Sequence, residues 1–284
     1  MTDSPWLAPL SIGTQLCGAD EVADIAVELA TAGFKGLELH PAQLSVMGDL
    51  ARRRDLVDAF QSAGLTVACV FVGVASDPPS TALVSARCEM AAVLGAKVVF
   101  LVPASRKSAT FEELAAQVRE ICRRACDLGL EVAVHNHAGT HVTTTTAQLR
   151  FLEEIDRPEA GLCLDLAHLA LFEDDLVGAI DRLAPFVRYL HVKDLEAGAR
   201  RVPENLEGDS LAGVAPLTPA YTDIGAGELD LAAALGALAR HGYRCWATLE
   251  IETLRRATFV EQARENAARF ASLTKSLQST GSGV

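Results

Sequence analysis

Short apolar runs alternate with longer amphipathic stretches along the chain, and glycine closes several of the latter. The run Leu65-Thr-Val-Ala-Cys-Val-Phe-Val is apolar on both faces, as a buried parallel strand is. Reading the periods in turn predicts strands over 10–13, 36–40, 65–72, 97–102, 130–137, 161–165, 187–193 and 244–250. Helices are predicted over about 20–32, 49–63, 80–94, 110–128, 146–155, 174–183, 229–240 and 258–277. Asp20 is the expected cap of the first helix, and Gly33, Gly64, Gly95, Gly129 and Gly242 end others.

Strict alternation of eight such units implies a parallel sheet that closes on itself. The expected class is α/β, a single (β/α)8 TIM barrel over 1–278 with a frayed tail over 279–284. A doubly wound open sheet is the alternative, but no glycine fingerprint follows the first strand. One connection is long, about 195–224, and rich in Gly, Pro, Glu and Ala. Its stretch 196–221 reads as a lid that orders over the barrel mouth with substrate.

The carboxyl ends of barrel strands meet at one mouth, where active sites sit. Strand five runs into His135-Asn-His137-Ala-Gly139-Thr140, and residues two apart in a strand share a face, which pairs His135 with His137. Strand six ends in Asp165, with His168 just after it; strand seven in His191 and Lys193; strand eight in Glu250, with Glu252 two further on. Strand two ends in Glu38 and His40. Asp, His and Glu are ligands of Mn, Co, Zn, Fe or Mg, and three of them on adjacent strands can converge on one ion. Glu252 and His40 fit a structural or supporting place better than a ligand's. Gly225-Ala-Gly227 before a helix lies where such barrels cradle phosphate, although a lone G-x-G is mostly turn geometry. His137 and His141 are four apart but on a strand end and loop, so they do not form a helical metal pair.

Half of the 284 residues are apolar, enough for a large core. A net charge of −12 and only 5% aromatic residues lack the footprint of a nucleic-acid binder. The first residues show no charged-then-apolar leader, and no apolar run approaches a membrane span. Seven scattered cysteines have no disulfide framework, and Cys122 and Cys126 have no companions to complete a zinc set. A cytoplasmic protein without membrane or nucleic-acid partners is expected, and a homo-oligomer is compatible with the sequence.

Four segments carry a family resemblance: GLCLDLAH (161–168), LHVKD (190–194), DIGAGELD (223–230) and TLEIE (248–252). With strand five they cover the C-terminal half; the N-terminal half adds mainly Ala32-Gly-Phe-Lys-Gly-Leu-Glu38-Leu. The chain resembles the sugar-phosphate isomerase/epimerase superfamily, the xylose isomerase-like TIM barrels. Carried over residue by residue, the resemblance implies metal ligands at Asp165, His191 and Glu250, with a strand-five residue as the fourth. Many members read Glu-Asn-His there; this chain reads His135-Asn136-His137, which departs from the two-glutamate proton shuttle of the isomerases and epimerases. The run HxHxGT, with HxKD later, is similar to the inosose (2-keto-myo-inositol) dehydratase subgroup. His135 is then either a neutral ligand or a hydrogen-bonding group.

The leading expectation is a metal-dependent lyase acting on a keto-polyol or keto-sugar, with one divalent ion, Mn first. His137 or Lys193 would take a proton from carbon, and Glu38 and His168 would orient substrate hydroxyls, with Glu252 beside them. Lys193 is equally placed as a cation that holds substrate oxygens. A ketose isomerase or 3-epimerase with the same metal is the runner-up; it needs a second base, for which His135 is poorer than Glu. A DNA-repair endonuclease of this fold is opposed by the charge and by missing zinc ligands. A silent binding module would tolerate an incomplete site, whereas this one is nearly complete.

Overall fold

The computed structural model describes residues 6–46, 48–75, 78–199 and 221–279. Eight parallel strands close the barrel, in the order β1 (Leu10–Gly13), β10 (Ala247–Leu249), β7 (Val187–Val192), β6 (Ala160–Asp165), β5 (Glu131–His135), β4 (Val98–Pro103), β3 (Thr66–Ala75), β2 (Gly36–Leu39) and back to β1. The ring is the expected (β/α)8 barrel. Eight long helices connect and cover it: α1 (Ala19–Thr31), α3 (Leu50–Ala63), α4 (Pro78–Val93), α5 (Phe111–Asp127), α6 (Thr145–Ile155), α8 (Leu176–Leu183), α9 (Leu231–Arg240) and α10 (Phe259–Ser279). Two short helices, α2 (Pro41–Leu44) and α7 (Leu166–Ala170), follow β2 and β6 directly. No helix of the described residues is long and apolar enough to cross a membrane.

The pleat of the strands separates two apolar layers. On β4, Val99 and Leu101 face the helices, while Val98, Phe100 and Val102 pack inside the barrel with Ala68, Cys69, Ala133, Cys163 and Tyr189. The interior is therefore filled below the mouth, and only the carboxyl ends of the strands are left to form a cavity. Gly36 serves this filling: a Cβ there would lie 2.8 Å from the Trp246 ring and 2.9 Å from the Ala68 Cβ.

Several boundaries differ from expectation for local reasons. Gly18, not Asp20, caps α1; its N–H donates to Glu21, while Asp20 sits in the first turn and pairs with Arg52. Strand β5 ends at His135 because the His137 N–H turns back to the His135 carbonyl instead of joining the ladder. Strand β10 starts three residues late, at Ala247, and the Tyr243 hydroxyl donates to the Trp246 carbonyl just before it. Helix α7 was not expected; the Asp165 side chain caps it by accepting the His168 N–H. The proposed lid lies, over 200–220, outside the described residues, and so does the tail beyond Ser279.

The ends of the long connection are described. Strands β8 (Asp194–Leu195) and β9 (Tyr221–Thr222) pair antiparallel. The amides of Leu195, Gly225, Gly227 and Leu229 all donate to the Asp194 carboxylate. The G-x-G turn, considered above for phosphate, thus already encloses an anion, the chain's own. A Cβ on Gly227 would lie 2.2 Å from the Leu195 carbonyl and 2.3 Å from Asp194 Oδ1, so glycine is required by close approach. Asp194→Ala is expected to destabilise the fold by about 2–4 kcal/mol, since it strands several amides at once. Urea denaturation reads this directly; an unchanged midpoint would mean that water or neighbouring carbonyl dipoles satisfy the turn instead.

Candidate active site

Four strands each bring one donor side chain to the bottom of the mouth. His135 ends β5, Asp165 ends β6, His191 lies in β7 opposite Asp165, and Glu250 follows β10. One ligand atom from each lies within 4.8 Å of the others. His135 Nδ1, Asp165 Oδ2, His191 Nδ1 and Glu250 Oε2 are buried and have no hydrogen-bond partner. They are not isolated, since Glu250 Oε2 lies 2.8 Å from the Lys193 ammonium and 3.0 Å from His191 Nδ1, and Asp165 Oδ2 3.2 Å from Lys193, but none has an aligned hydrogen bond, and a cation among them would give all four a common partner. This donor set of two carboxylates and two imidazoles fits a divalent ion.

What surrounds the set orients it. His191 Nε2 donates to Glu38 Oε2 at 2.7 Å, and its Nδ1 faces Glu250 Oε2 at 3.0 Å; burial works against charge on this ring, but Cys163 and the carboxylates of Glu38 and Glu250 hold its pKa well above the ordinary value. A carboxylate behind a ligating histidine raises the basicity of its free nitrogen. The other Glu38 oxygen is 2.9 Å from His40 Nε2. The Asn136 side chain donates to the Asp165 carbonyl and accepts from the Asp165 N–H, pinning β5 to β6 at the site. The Lys193 ammonium lies 3.2 Å from Asp165 Oδ2, 2.8 Å from Glu250 Oε2 and 2.6 Å from Glu252 Oε1. It supplies charge to the first two without an aligned hydrogen bond.

Above the donors opens a cavity of about 240 Å³, below the range of about 300–1,000 Å³ typical of drug-sized ligands. Its walls differ. Across the ring, β4 faces β10 and β3 faces β7. Accordingly Phe100, Val102 and Phe71 stand on one side, and Lys193, Glu250 and Glu252 on the other. His135, His137, His168 and Tyr221 complete the polar side, Gln15 reaches in after β1, and His40 after β2 packs against Phe71 on the other side. Phe71 and Phe100 stack at 4.8 Å between ring centroids.

The electrostatics follow from this burial. Burial works against charge on Lys193, but the carboxylates of Asp165, Glu250 and Glu252 outweigh it and hold its pKa well above the ordinary value. Burial pushes His137 down to about 4, and it lowers His135 and His168 strongly as well. His137 Nδ1 donates to the Ala138 carbonyl at 2.8 Å, so Nε2 is its unprotonated nitrogen.

The model of the xylose isomerase-like TIM barrel family matches residues 27–273. The chain belongs to this family. Among curated relatives, the rhizopine catabolism protein MocC of Rhizobium meliloti is 30% identical over 171 residues, 57% of this chain and 50% of that protein. An inosose dehydratase of Lacticaseibacillus casei is 28% identical over 142 residues, 50% of this chain and 47% of the dehydratase. The chain thus spans about half the length of the curated relatives it matches. Among solved structures, the probable 3-DHS dehydratase AsbF of Bacillus anthracis superposes with a TM-score of 0.71 at 17% identity, over 93% of this chain and 98% of that one. An L-ribulose 3-epimerase gives 0.74 at 16% identity, over 96% of both chains. The IOLI protein with a bound zinc atom gives 0.71 at 18%, over 97% of this chain and 100% of that one. These likenesses establish a shared barrel.

Within this family barrel, His135, Asp165, His191 and Glu250 come together as one donor set, and His137, His168, Lys193 and Glu252 line the cavity with His135 and Glu250. Glu38 is displaced from its expected place: both its oxygens are taken by His40 and His191, so it stands behind the site rather than against a ligand. His137 reaches the same mouth as His135, with ring centroids 5.4 Å apart, although it lies past the strand. His141 stays apart, on the Ala109 carbonyl. Sequence reading missed Tyr221, Gln15 and the apolar wall of Phe71, Phe100 and Val102. Tyr221 and Gln15 lie in loops or a two-residue strand, and the wall residues are indistinguishable from core in one dimension. Asp165→Asn keeps an oxygen to cap α7 but weakens the donor set; it is expected to lose stoichiometric divalent metal with an unchanged circular dichroism spectrum. If elemental analysis still finds one ion per chain, the donors lie elsewhere.

Proposed function

We propose that this protein is a metal-dependent lyase, a dehydratase-like enzyme that removes a β-leaving group from a keto-polyol or keto-sugar. The observation that carries the reading is the bare Nε2 of His137 at a small cavity directly above an unsatisfied donor set. His135, Asp165, His191 and Glu250 would hold one divalent ion, Mn first, and when bound it supplies Lewis-acid polarisation of a ketone oxygen. Glu38 orients His191 for that task. His137 Nε2 accepts the proton from the carbon beside the ketone, a role that its Nδ1–H bond to Ala138 prepares by fixing the tautomer. Lys193, held among three carboxylates, is a cation for substrate oxygens and not the carbon base.

The names of relatives support dehydration without deciding it: an inosose dehydratase lies among the sequence relatives and a probable 3-DHS dehydratase among the fold neighbours. An epimerase shares the fold too, so a ketose isomerase or 3-epimerase is the competing activity. The walls weigh against it. Epimerisation needs a second base on the far side of the substrate, where Phe71, Phe100 and Val102 stand with His40, whose Nε2 is committed to Glu38. Elimination needs one carbon base, because the proton that His137 removes can be passed to the departing oxygen, which leaves as water.

Protein loaded with Mn²⁺ is expected to convert 2-keto-myo-inositol, or a related keto-polyol, to an ultraviolet-absorbing unsaturated ketone or dione. Formation of an isobaric sugar from ketoses, with no unsaturated product, would replace this reading by isomerisation. His137→Ala should lower turnover by about 10²–10⁴-fold, the range usual for a general base. His135→Glu should retain metal and bring no gain in dehydration. A nearly silent His137→Ala would require a different base.

A further inference from the structure

Lys193 stands on two oxygens that the donor set also needs. It follows β7 two residues past His191, and so reaches the same face one step nearer the mouth. Its ammonium is 2.8 Å from Glu250 Oε2 and 3.2 Å from Asp165 Oδ2. Those are the two carboxylate oxygens without an aligned hydrogen bond, one 3.0 Å from His191 Nδ1 and the other 3.8 Å from His135 Nε2. The third contact is of a different kind. Lys193 donates an aligned hydrogen bond to Glu252 Oε1 at 2.6 Å, and Glu252 lies outside the donor set.

The ammonium and a divalent ion cannot both have these oxygens in full. An ion held by Glu250 Oε2 at about 2.2 Å would lie within about 5 Å of the ammonium, because the two share that oxygen. Two cations so close, in a buried site, repel each other far more than they would in water. Lys193 is itself buried, so it does not relieve the repulsion by carrying its charge out to solvent. Its long stem lets the head group shift, and two partners remain on the cavity side. One is the Glu252 carboxylate; the other is the face of the Tyr221 ring, whose centroid lies 5.1 Å from Nζ.

We infer that the Lys193 ammonium is an internal competitor for the divalent ion at Asp165 and Glu250, and that Glu252 is the positioning residue that takes the ammonium over when the ion is bound. This rests on the reading of the four donors as a metal set and on no particular reaction. The competition has two consequences. Lys193 neutralises carboxylates that would otherwise be buried as uncompensated charge, so the floor of the mouth tolerates its own acidity. It also sets a threshold, because a monovalent ion gains little by displacing another single charge, whereas a divalent ion gains more. Committed to Glu252, the ammonium faces the cavity, where the proposed reaction calls for a cation beside substrate oxygens.

Metal uptake by the full chain without substrate tests this, with free Mn²⁺ counted by its paramagnetic resonance signal. Lys193→Met should bind Mn²⁺ at least about tenfold more tightly than wild type, and Lys193→Arg, which keeps the charge, no more tightly than wild type. Glu252→Gln should bind it about three- to tenfold more weakly, and that loss should vanish in the Lys193→Met background. A folded Lys193→Met that binds Mn²⁺ no better than wild type overturns the inference. So does a Glu252→Gln loss that persists without the lysine, since Glu252 would then act on the ion directly. A measurement on the wild type needs no variant to fold: nitrogen-15 spectra of the Lys193 ammonium, titrated with diamagnetic Zn²⁺, should show its hydrogen-bond coupling to the Glu252 carboxylate strengthen. A coupling that is unchanged or weakened overturns the inference as well. If neither wild type nor Lys193→Met takes up any divalent ion, the donor set itself is overturned. A loaded protein that eliminates nothing from any keto-polyol overturns the lyase reading alone, and the same titrations still decide the competition.

Discussion

Three carboxylates, Glu38, Asp165 and Glu250, lie together in the floor of one barrel mouth, the first two with no exposed surface. Removing an ionised carboxylate from water costs several kcal/mol unless charge and hydrogen bonds replace the solvent. Most of what surrounds this floor can be understood as that replacement. Lys193 sits between Asp165, Glu250 and Glu252, and His191 bridges Glu38 and Glu250. Yet one oxygen each of Asp165 and Glu250 still lacks a directed partner, as does one nitrogen each of His135 and His191. The residual demand is for a compact cation with several coordination positions, which no further side chain among the described residues supplies.

The barrel gives that demand its geometry. Parallel strands closed into a ring can bring side chains from β5, β6, β7 and β10 to one point, though they are spread over more than a hundred residues of the chain. Asp165 and His191 are direct register partners, so their side chains leave adjacent strands at the same height. Asn136 then bonds both the N–H and the carbonyl of Asp165 and removes the remaining freedom between β5 and β6. The filled interior below, with Tyr189 and Cys163 under the histidines, keeps the cluster from sinking into the barrel.

The donor set was legible in the sequence because it depends on two simple regularities, the period of the strand and the place where the strand stops. Asp165, His191 and Glu250 could be read as the last polar residues of apolar runs. What depends on closure or on backbone atoms was not legible. The opposite placement of Phe100 and Glu250 follows from the ring order, which no local period contains. Glu38 looked like a substrate ligand because its strand end is like the others; only the three-dimensional packing shows His40 and His191 occupying both oxygens. Gly225 and Gly227 looked like a phosphate turn because the anion that fills it, Asp194, is some thirty residues away.

The sequence His-Asn-His-Ala-Gly-Thr concentrates these effects in a few residues. His135 brings a neutral donor where a glutamate would add a fourth negative charge to a floor already rich in carboxylates. Asn136 ties the neighbouring strand. His137 leaves the ladder, and the turn that frees it places the Ala138 peptide between two imidazoles. Ala138 donates through its N–H to one Nδ1 and accepts at its carbonyl from the other, so the two neutral rings carry opposite tautomers. The asymmetry between His137, whose Nε2 is unprotonated, and His168, whose Nδ1 is, thus arises here from the backbone itself. Ala138 has no side-chain chemistry to attract notice, yet its N–H and carbonyl set which nitrogens of His137 and His168 carry protons.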